Sequence, residues 1–160
     1  MCSQDPFKEY RKQSEPGRRD RAYAWRTAIG LQDVDGLKTS GYLAGIAIQN
    51  IEGEITIDEA GDLLAAYYEE NPEYGRVEEA DKVSQRIAKL LSEKSFSFTS
   101  KEYLAIHKKL FQGIYDKAGE IREYNITKKE WILDGATVTY GSASELEATL
   151  EYDISQEKKY

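Results

Sequence analysis

The chain has one cysteine, one histidine and no apolar run of membrane-spanning length among its 160 residues. A bilayer-spanning helix needs about 20 consecutive apolar residues, so none is predicted. With Cys2 alone no internal disulfide can form, which suits a soluble, cytoplasmic protein. At a chain terminus Cys2 reads as an incidental exposed thiol. Met1 to Arg11 include Asp5, Lys8, Glu9 and Arg11 and no apolar stretch, so no secretory signal is expected. His107 has no second His or Cys with which to share a metal. Between Ile106 and Lys108 it reads as a partly buried histidine, hydrogen-bonded in a helical layer. A glycine-rich phosphate loop is missing, and no Ser sits on a nucleophile elbow. Glu69-Glu70 and Glu78-Glu79 fall in acidic stretches and read as solvated faces, because acid–base work needs burial to split two carboxyl pKa values. The general tools of catalysis are missing as a set.

What is present begins with charge. The net charge is −7, which argues against a general nucleic-acid binder. Arg11, Lys12, Arg18, Arg19, Arg21 and Arg26 nevertheless crowd the first part of the chain, and Glu and Asp dominate from Asp58 to Asp81. The basic stretch is expected to be a solvated helix face that pairs with the acidic remainder. Contact with phosphate or an acidic partner is the alternative.

Helix signals recur with clear punctuation. Ala22, Trp25 and Ile29 share a face after Pro16-Gly17, and Gly30 is expected to end that run, with Asp33 to Gly36 as a loop. Thr39-Ser40 caps a helix carrying Leu43, Ile46, Ala47 and Ile51, which Gly53 stops. Thr56 with Glu59 makes a capping box for a helix striped by Ala60, Leu63, Leu64, Tyr67 and Tyr68. Asn71 to Gly75 reads as a boundary. Ala80, Val83, Ile87, Leu90 and Leu91 mark an amphipathic helix, and Phe96 and Phe98 read as loop anchors on the core. Thr99 with Glu102 opens a helix expected to run to about Ala118-Gly119. Trp131-Ile132-Leu133, Asp134-Gly135 and Thr137 to Tyr140 form a hairpin pattern in which Asp-Gly suits a type I′ turn. Ser144 with Glu147 is expected to open a last helix with Leu146, Leu150 and Ile154 on one face. That stripe is expected to lack partners and to invite self-association.

Residues Leu110 to Arg122 (LFQGIYDKAGEIR), followed by Tyr124-Asn125-Ile126, resemble the Fic/Doc family of helical enzymes, which typically transfer AMP from ATP to a target hydroxyl. The resemblance covers roughly Ala80 to Tyr160. It implies that the hairpin, at about residues 130–140, is the flap that holds a target protein by strand addition. The docking residues would be Trp131, Ile132, Leu133, Asp134, Gly135, Thr137 and Val138. An exposed strand edge offers unpaired N–H and C=O groups, which suits that role.

A second stretch, Ala47-Ile-Gln-Asn-Ile-Glu-Gly53, resembles the inhibitory helix of VbhA-type antitoxins that pair with Fic toxins. On the residues alone Glu52 reads as a helix-end glutamate before a glycine stop. The resemblance implies an inhibitory motif, Glu52-Gly53, whose carboxylate pairs with an arginine that would otherwise hold the γ-phosphate of ATP. The family pattern has Ser or Thr where Ile48 stands. Fic enzymes also carry His-Pro-Phe, an acidic residue and Gly-Asn-Gly-Arg, for the base, the Mg²⁺ ligand and the phosphate cradle. These residues contain no such motif, and His107, followed by Lys108, cannot stand in for its histidine.

The expectation is a mostly α chain: an antitoxin-like inhibitory helical segment at 1–71, then the first helices of a Fic core with one β-hairpin at 76–160, cut before the catalytic motif. Such a chain would be inactive alone. It would need neither ATP nor Mg²⁺, which belong to a complete family member. Its expected partners are a target protein at the flap and, as the alternative reading, an intact Fic enzyme inhibited in trans. No membrane and no nucleic acid are expected as partners.

Overall fold

A computed structural model describes residues 5–10, 16–72, 75–93 and 95–160. The expected mostly helical class is observed, with six helices and one two-stranded antiparallel hairpin among these residues. Cys2, Arg11 and Lys12 lie outside the described residues. The chain forms two compact units, Met1–Ser95 and Phe96–Tyr160.

Four helices build the first unit: α1 (Pro16–Val34), α2 (Gly41–Glu52), α3 (Ile57–Glu70) and α4 (Arg76–Ser92). Helix α1 runs through Gly30, where a stop was expected, and takes in much of the expected loop at Asp33 to Gly36. A mid-helix glycine costs about 1 kcal/mol relative to alanine. Here burial of Ala22, Ala24, Trp25, Ala28 and Gln32 along the same helix outweighs it. Gly36, at φ 73°, then turns the chain, and Leu37 N–H closes on Gln32 O at 2.9 Å.

Local chemistry sets both ends of α2. Ser40 Oγ accepts from Leu43 N–H at 3.0 Å at its start. At its finish Gly53 (φ 82°) and Glu54 return their N–H groups to Asn50 O and Gln49 O in the Schellman pattern. Thr56 and Glu59 form the expected reciprocal capping box of α3. Trp25 is the centre of the core, packed among Phe7, Leu43, Ile46, Ile51, Leu64 and Tyr68. Its indole N–H donates to Asn50 Oδ1 at 2.9 Å, and Asn50 Nδ2 donates onward to Ile55 O at 3.0 Å, so no polar atom of that buried pair is wasted. Helix α4 packs on α1 and α3 and belongs to this unit, so the expected boundary at Asn71 to Gly75 falls inside it.

The second unit contains α5 (Ser100–Phe111), β1 (Thr127–Lys129), β2 (Thr137–Thr139) and α6 (Leu146–Glu157). Thr99 Oγ1 caps α5 by accepting from Glu102 N–H. This helix ends at Phe111, short of the expected Ala118-Gly119, because Gly113 adopts φ 78° and the chain turns back. Phe96 and Phe98 are exposed rather than anchored on a core, and their rings lie 6.0 Å apart. A short 3-10 turn, Ala143–Glu145, leads into α6 in place of the expected Ser144 capping box. Ile154, still 9 % exposed, is the one buried apolar residue among the described residues of this unit.

Candidate functional site

The hairpin is real but displaced from its expected register. Thr127 pairs with Thr139, Lys128 with Val138 and Lys129 with Thr137. Trp131–Leu133, expected to be a strand, forms a 3-10 turn at the tip. The cause is the turn itself. Asp134 (φ 51°, ψ 33°) and Gly135 (φ 80°) adopt the type I′ signs, and Ala136 N–H closes on Leu133 O at 2.9 Å. Glu130 O accepts from Gly135 N–H at 3.0 Å and so closes a wider loop around the three apolar residues. They are thereby lifted out of the ladder: Trp131 is 86 % exposed, Ile132 71 % and Leu133 51 %. Val138, on β2, is half-buried, and Thr137 is exposed.

Ile126 with Tyr140 and Glu130 with Ala136 are hydrogen-bonded pairs that bracket the strands. Antiparallel pairing alternates, so Thr127 and Lys129 turn their backbone N–H and C=O groups outward on one edge, and Thr137 and Thr139 do so on the other. Both edges are therefore chemically open to an added strand.

The root of the hairpin is held by two polar side chains that the residue pattern did not single out for this work. Arg122 donates to Tyr124 O and, at 2.5 Å, to Gly141 O, bridging the two arms. Asn125 Oδ1 accepts from Ala143 N–H at 2.8 Å. Both lie in the stretch that carries the Fic resemblance. Tyr140 Oη reaches Glu130 Oε1 at 3.3 Å, and Lys128 pairs with the same carboxylate at 3.2 Å.

His107 is exposed, not partly buried, and its Nδ1 accepts from Gly119 N–H at 2.8 Å. Leu150 and Ile154 line a groove of about 340 Å³ with Phe96, Phe98, Tyr103 and Ile106, edged by Asp153 and Glu157.

Glu52 and Gly53 stand at the end of α2 in the first unit. The Glu52 carboxylate is already engaged: Arg18 Nη1 of α1 lies 3.1 Å from its Oε2. Tyr10 donates its phenol to the same carboxylate. That bond, with partial burial and the negative charge of Glu52, raises the Tyr10 pKa above the ordinary phenol value. Arg21 completes the cluster from one turn further along α1, donating through Nε at 3.1 Å and Nη2 at 2.6 Å to Ile51 O. Two arginines at a helix C-terminus suit its macrodipole, which is reason enough for the basic face of α1. Arg26 pairs with Asp5 at 3.2 Å, and this partner, like Glu52, lies outside the acidic stretch Asp58 to Asp81 with which pairing was expected.

Among the described residues no group of three or more His, Cys, Asp and Glu side chains could hold a metal ion, and no helix is long and apolar enough to cross a membrane. Comparison with protein-family models, curated proteins and solved structures finds no match to the chain.

Proposed function

We propose that the chain is the N-terminal portion of an autoinhibited protein adenylyltransferase of the Fic type, with the hairpin as its target-docking flap. The observation that carries this reading is the exposed apolar tip, Trp131 to Leu133, set on open strand edges and braced from below by Arg122 and Asn125. A target segment added to either edge satisfies backbone groups, and the tip supplies apolar contact beside it. In this reading ATP and Mg²⁺ act only in a complete enzyme. The residues of this chain bind and orient the target but transfer nothing.

The coding region following Tyr160 tests the proposal. An in-frame or frameshifted His-Pro-Phe motif with its acidic residue and Gly-Asn-Gly-Arg is expected, and a transcript without one contradicts it. Incubation of the purified chain with labelled ATP and candidate targets is expected to give no label transfer. Transfer by the chain alone would overturn the division of labour.

A second reading, inhibition of an intact Fic enzyme in trans, draws on one observation: the first unit has a core of its own around Trp25. Here Glu52 would have to leave Arg18 and Tyr10 before meeting a partner's arginine. Glu52→Gly in the full chain is expected to weaken inhibition of a cognate enzyme, and unchanged inhibition would remove Glu52 from the mechanism.

A further inference from the structure

We propose that His107 is a pH-sensitive tie that fixes where the chain leaves α5 on its way to the hairpin, and that protonation of the imidazole releases it. The geometry concerns the second unit alone and stands whether or not the hairpin docks a target.

His107 Nδ1 accepts from the backbone N–H of Gly119 at 2.8 Å. A ring nitrogen that accepts carries no hydrogen, so this bond requires the neutral ring with its proton on Nε2. In the imidazolium both nitrogens are donors. Nδ1–H and Gly119 N–H would then point at one another, and the bond cannot survive.

Gly119 has little freedom to accommodate that change. It sits at φ 81°, and a Cβ placed there would lie 2.6 Å from Lys108 Cβ and 3.1 Å from Leu104 O. Its backbone is therefore pressed onto the face of α5. The segment's backbone–backbone hydrogen bonds include short-range ones: Gln112 to Lys108 O, Ile114 and Tyr115 to Phe111 O, Ala118 to Tyr115 O and Glu120 to Lys117 O. The His107 bond instead spans twelve residues and draws the far end of the segment back to the helix. Three residues beyond Gly119 comes Arg122, which fastens both arms of the hairpin. The tie thus sits at the base of the segment from which the hairpin springs.

Solvent reaches the ring. His107 is exposed, and Phe111 covers one side of it with a ring centroid 4.9 Å away, backed by Tyr115. The charged groups of the packed elements are Lys101, Glu102, Lys108 and Lys109 on α5 and Asp116, Lys117, Glu120, Arg122 and Glu123 on the returning segment, with Lys117 and Glu120 paired at 3.5 Å. Helix α6 contributes Glu147, Asp153, Glu157 and Glu151, the last bound to Ser100. Imidazole is the side chain that changes charge between about pH 5 and pH 8. As the only histidine in the chain, His107 gives a signal with a single source.

The test is an NMR titration of the ¹⁵N-labelled full chain from about pH 8 to about pH 5. At the upper end the ring is expected to be protonated on Nε2 only. On acidification the Gly119 amide signal should move with the midpoint of the ring. Its hydrogen-exchange protection, corrected for the intrinsic rate at each pH, should fall by about tenfold, the loss of one hydrogen bond of ordinary net worth. His107→Asn supplies an amide oxygen in place of Nδ1 and should keep Gly119 protected at both ends. His107→Phe should leave it unprotected at both. A Gly119 amide indifferent to the ring's titration, or a neutral ring carrying its proton on Nδ1, overturns the proposal. The wild-type titration decides the matter even where a variant does not fold.

Discussion

Tyr68 donates its phenol to Asp81 Oδ2 at 2.6 Å in the interior of the first unit, where both side chains are buried. Asp81 collects two further donors from Ser40, the backbone N–H at 2.8 Å and the hydroxyl at 2.5 Å. One carboxylate of α4 thus fixes the start of α2 and the last turns of α3. Three donors are what make its burial tolerable. Asp81→Ala strands the Ser40 N–H and hydroxyl and the Tyr68 hydroxyl together and is expected to destabilise the unit by about 3 kcal/mol or more. Tyr68→Phe removes one donor and keeps the ring, so about 1.5–2 kcal/mol is expected. Urea unfolding midpoints measure both. Equal losses in the two variants would mean that Asp81 is not the hub of the three contacts.

The same pair sets an alkaline dependence. Burial, then the hydrogen bond to Asp81 and its negative charge, push the Tyr68 pKa well above the ordinary phenol range. A group whose folded pKa is raised contributes stability that is complete below its unfolded pKa and is lost as pH rises beyond it. The unfolded phenol ionises near about pH 10, so stability should decline from there upward. The decline should be shallower in Tyr68→Phe. Unfolding free energies taken at intervals up to mildly denaturing alkali give the two slopes, and indistinguishable slopes would refute the assignment to Tyr68.

Glu59 works at the acid end. Its carboxylate accepts from Thr56 N–H at 2.7 Å, and that backbone bond, followed by the bond with the Thr56 side chain, lowers its pKa below the ordinary carboxyl value. The sign is opposite: a lowered folded pKa gives a contribution that is present above the unfolded pKa and disappears as pH falls through the folded one. Amide exchange at Thr56 should accelerate relative to its intrinsic rate below the usual carboxyl range. Glu59→Gln should show no such step. Thr56→Ala removes the reciprocal half of the box and should cost about 1 kcal/mol at any pH.

Features written within a few residues are legible in the sequence alone. Ser40, Gly53 and the Thr56–Glu59 box are side-chain or glycine signals acting on their own helix end, and each does what its chemistry says. The Asp134-Gly135 turn was legible for the same reason, but the strands it joins were not. Trp131 to Leu133 have strand-forming side chains, yet the wider closure at Glu130 removes them from the ladder. Gly30 misled because burial along α1 is a tertiary effect. Asp81 was hidden in an acidic stretch where a solvated role is the default. Its donors Ser40 and Tyr68 stand 41 and 13 residues away. Arg18 likewise finds Glu52 across two helices, and nothing in the local pattern pairs them.

If the hairpin docks a target as proposed, two substitutions separate its stability from that role. Gly135 holds φ 80°, where a β-branched residue is strained, although no heavy atom lies within 4 Å of the place its Cβ would take. Gly135→Val should therefore act through the backbone alone, at a cost of about 1–2 kcal/mol to the turn. It should weaken the cross-strand NMR contacts between Lys128 and Val138. Trp131 is a different case: its ring meets mostly water, so truncation removes little from the folded state. Trp131→Ala is expected to leave the cross-strand contacts and the melting midpoint essentially unchanged while weakening capture of a target strand by about tenfold or more. A Trp131→Ala variant that lost the β1–β2 contacts would show that the ring supports the hairpin, and the exposed tip would then be no evidence for docking.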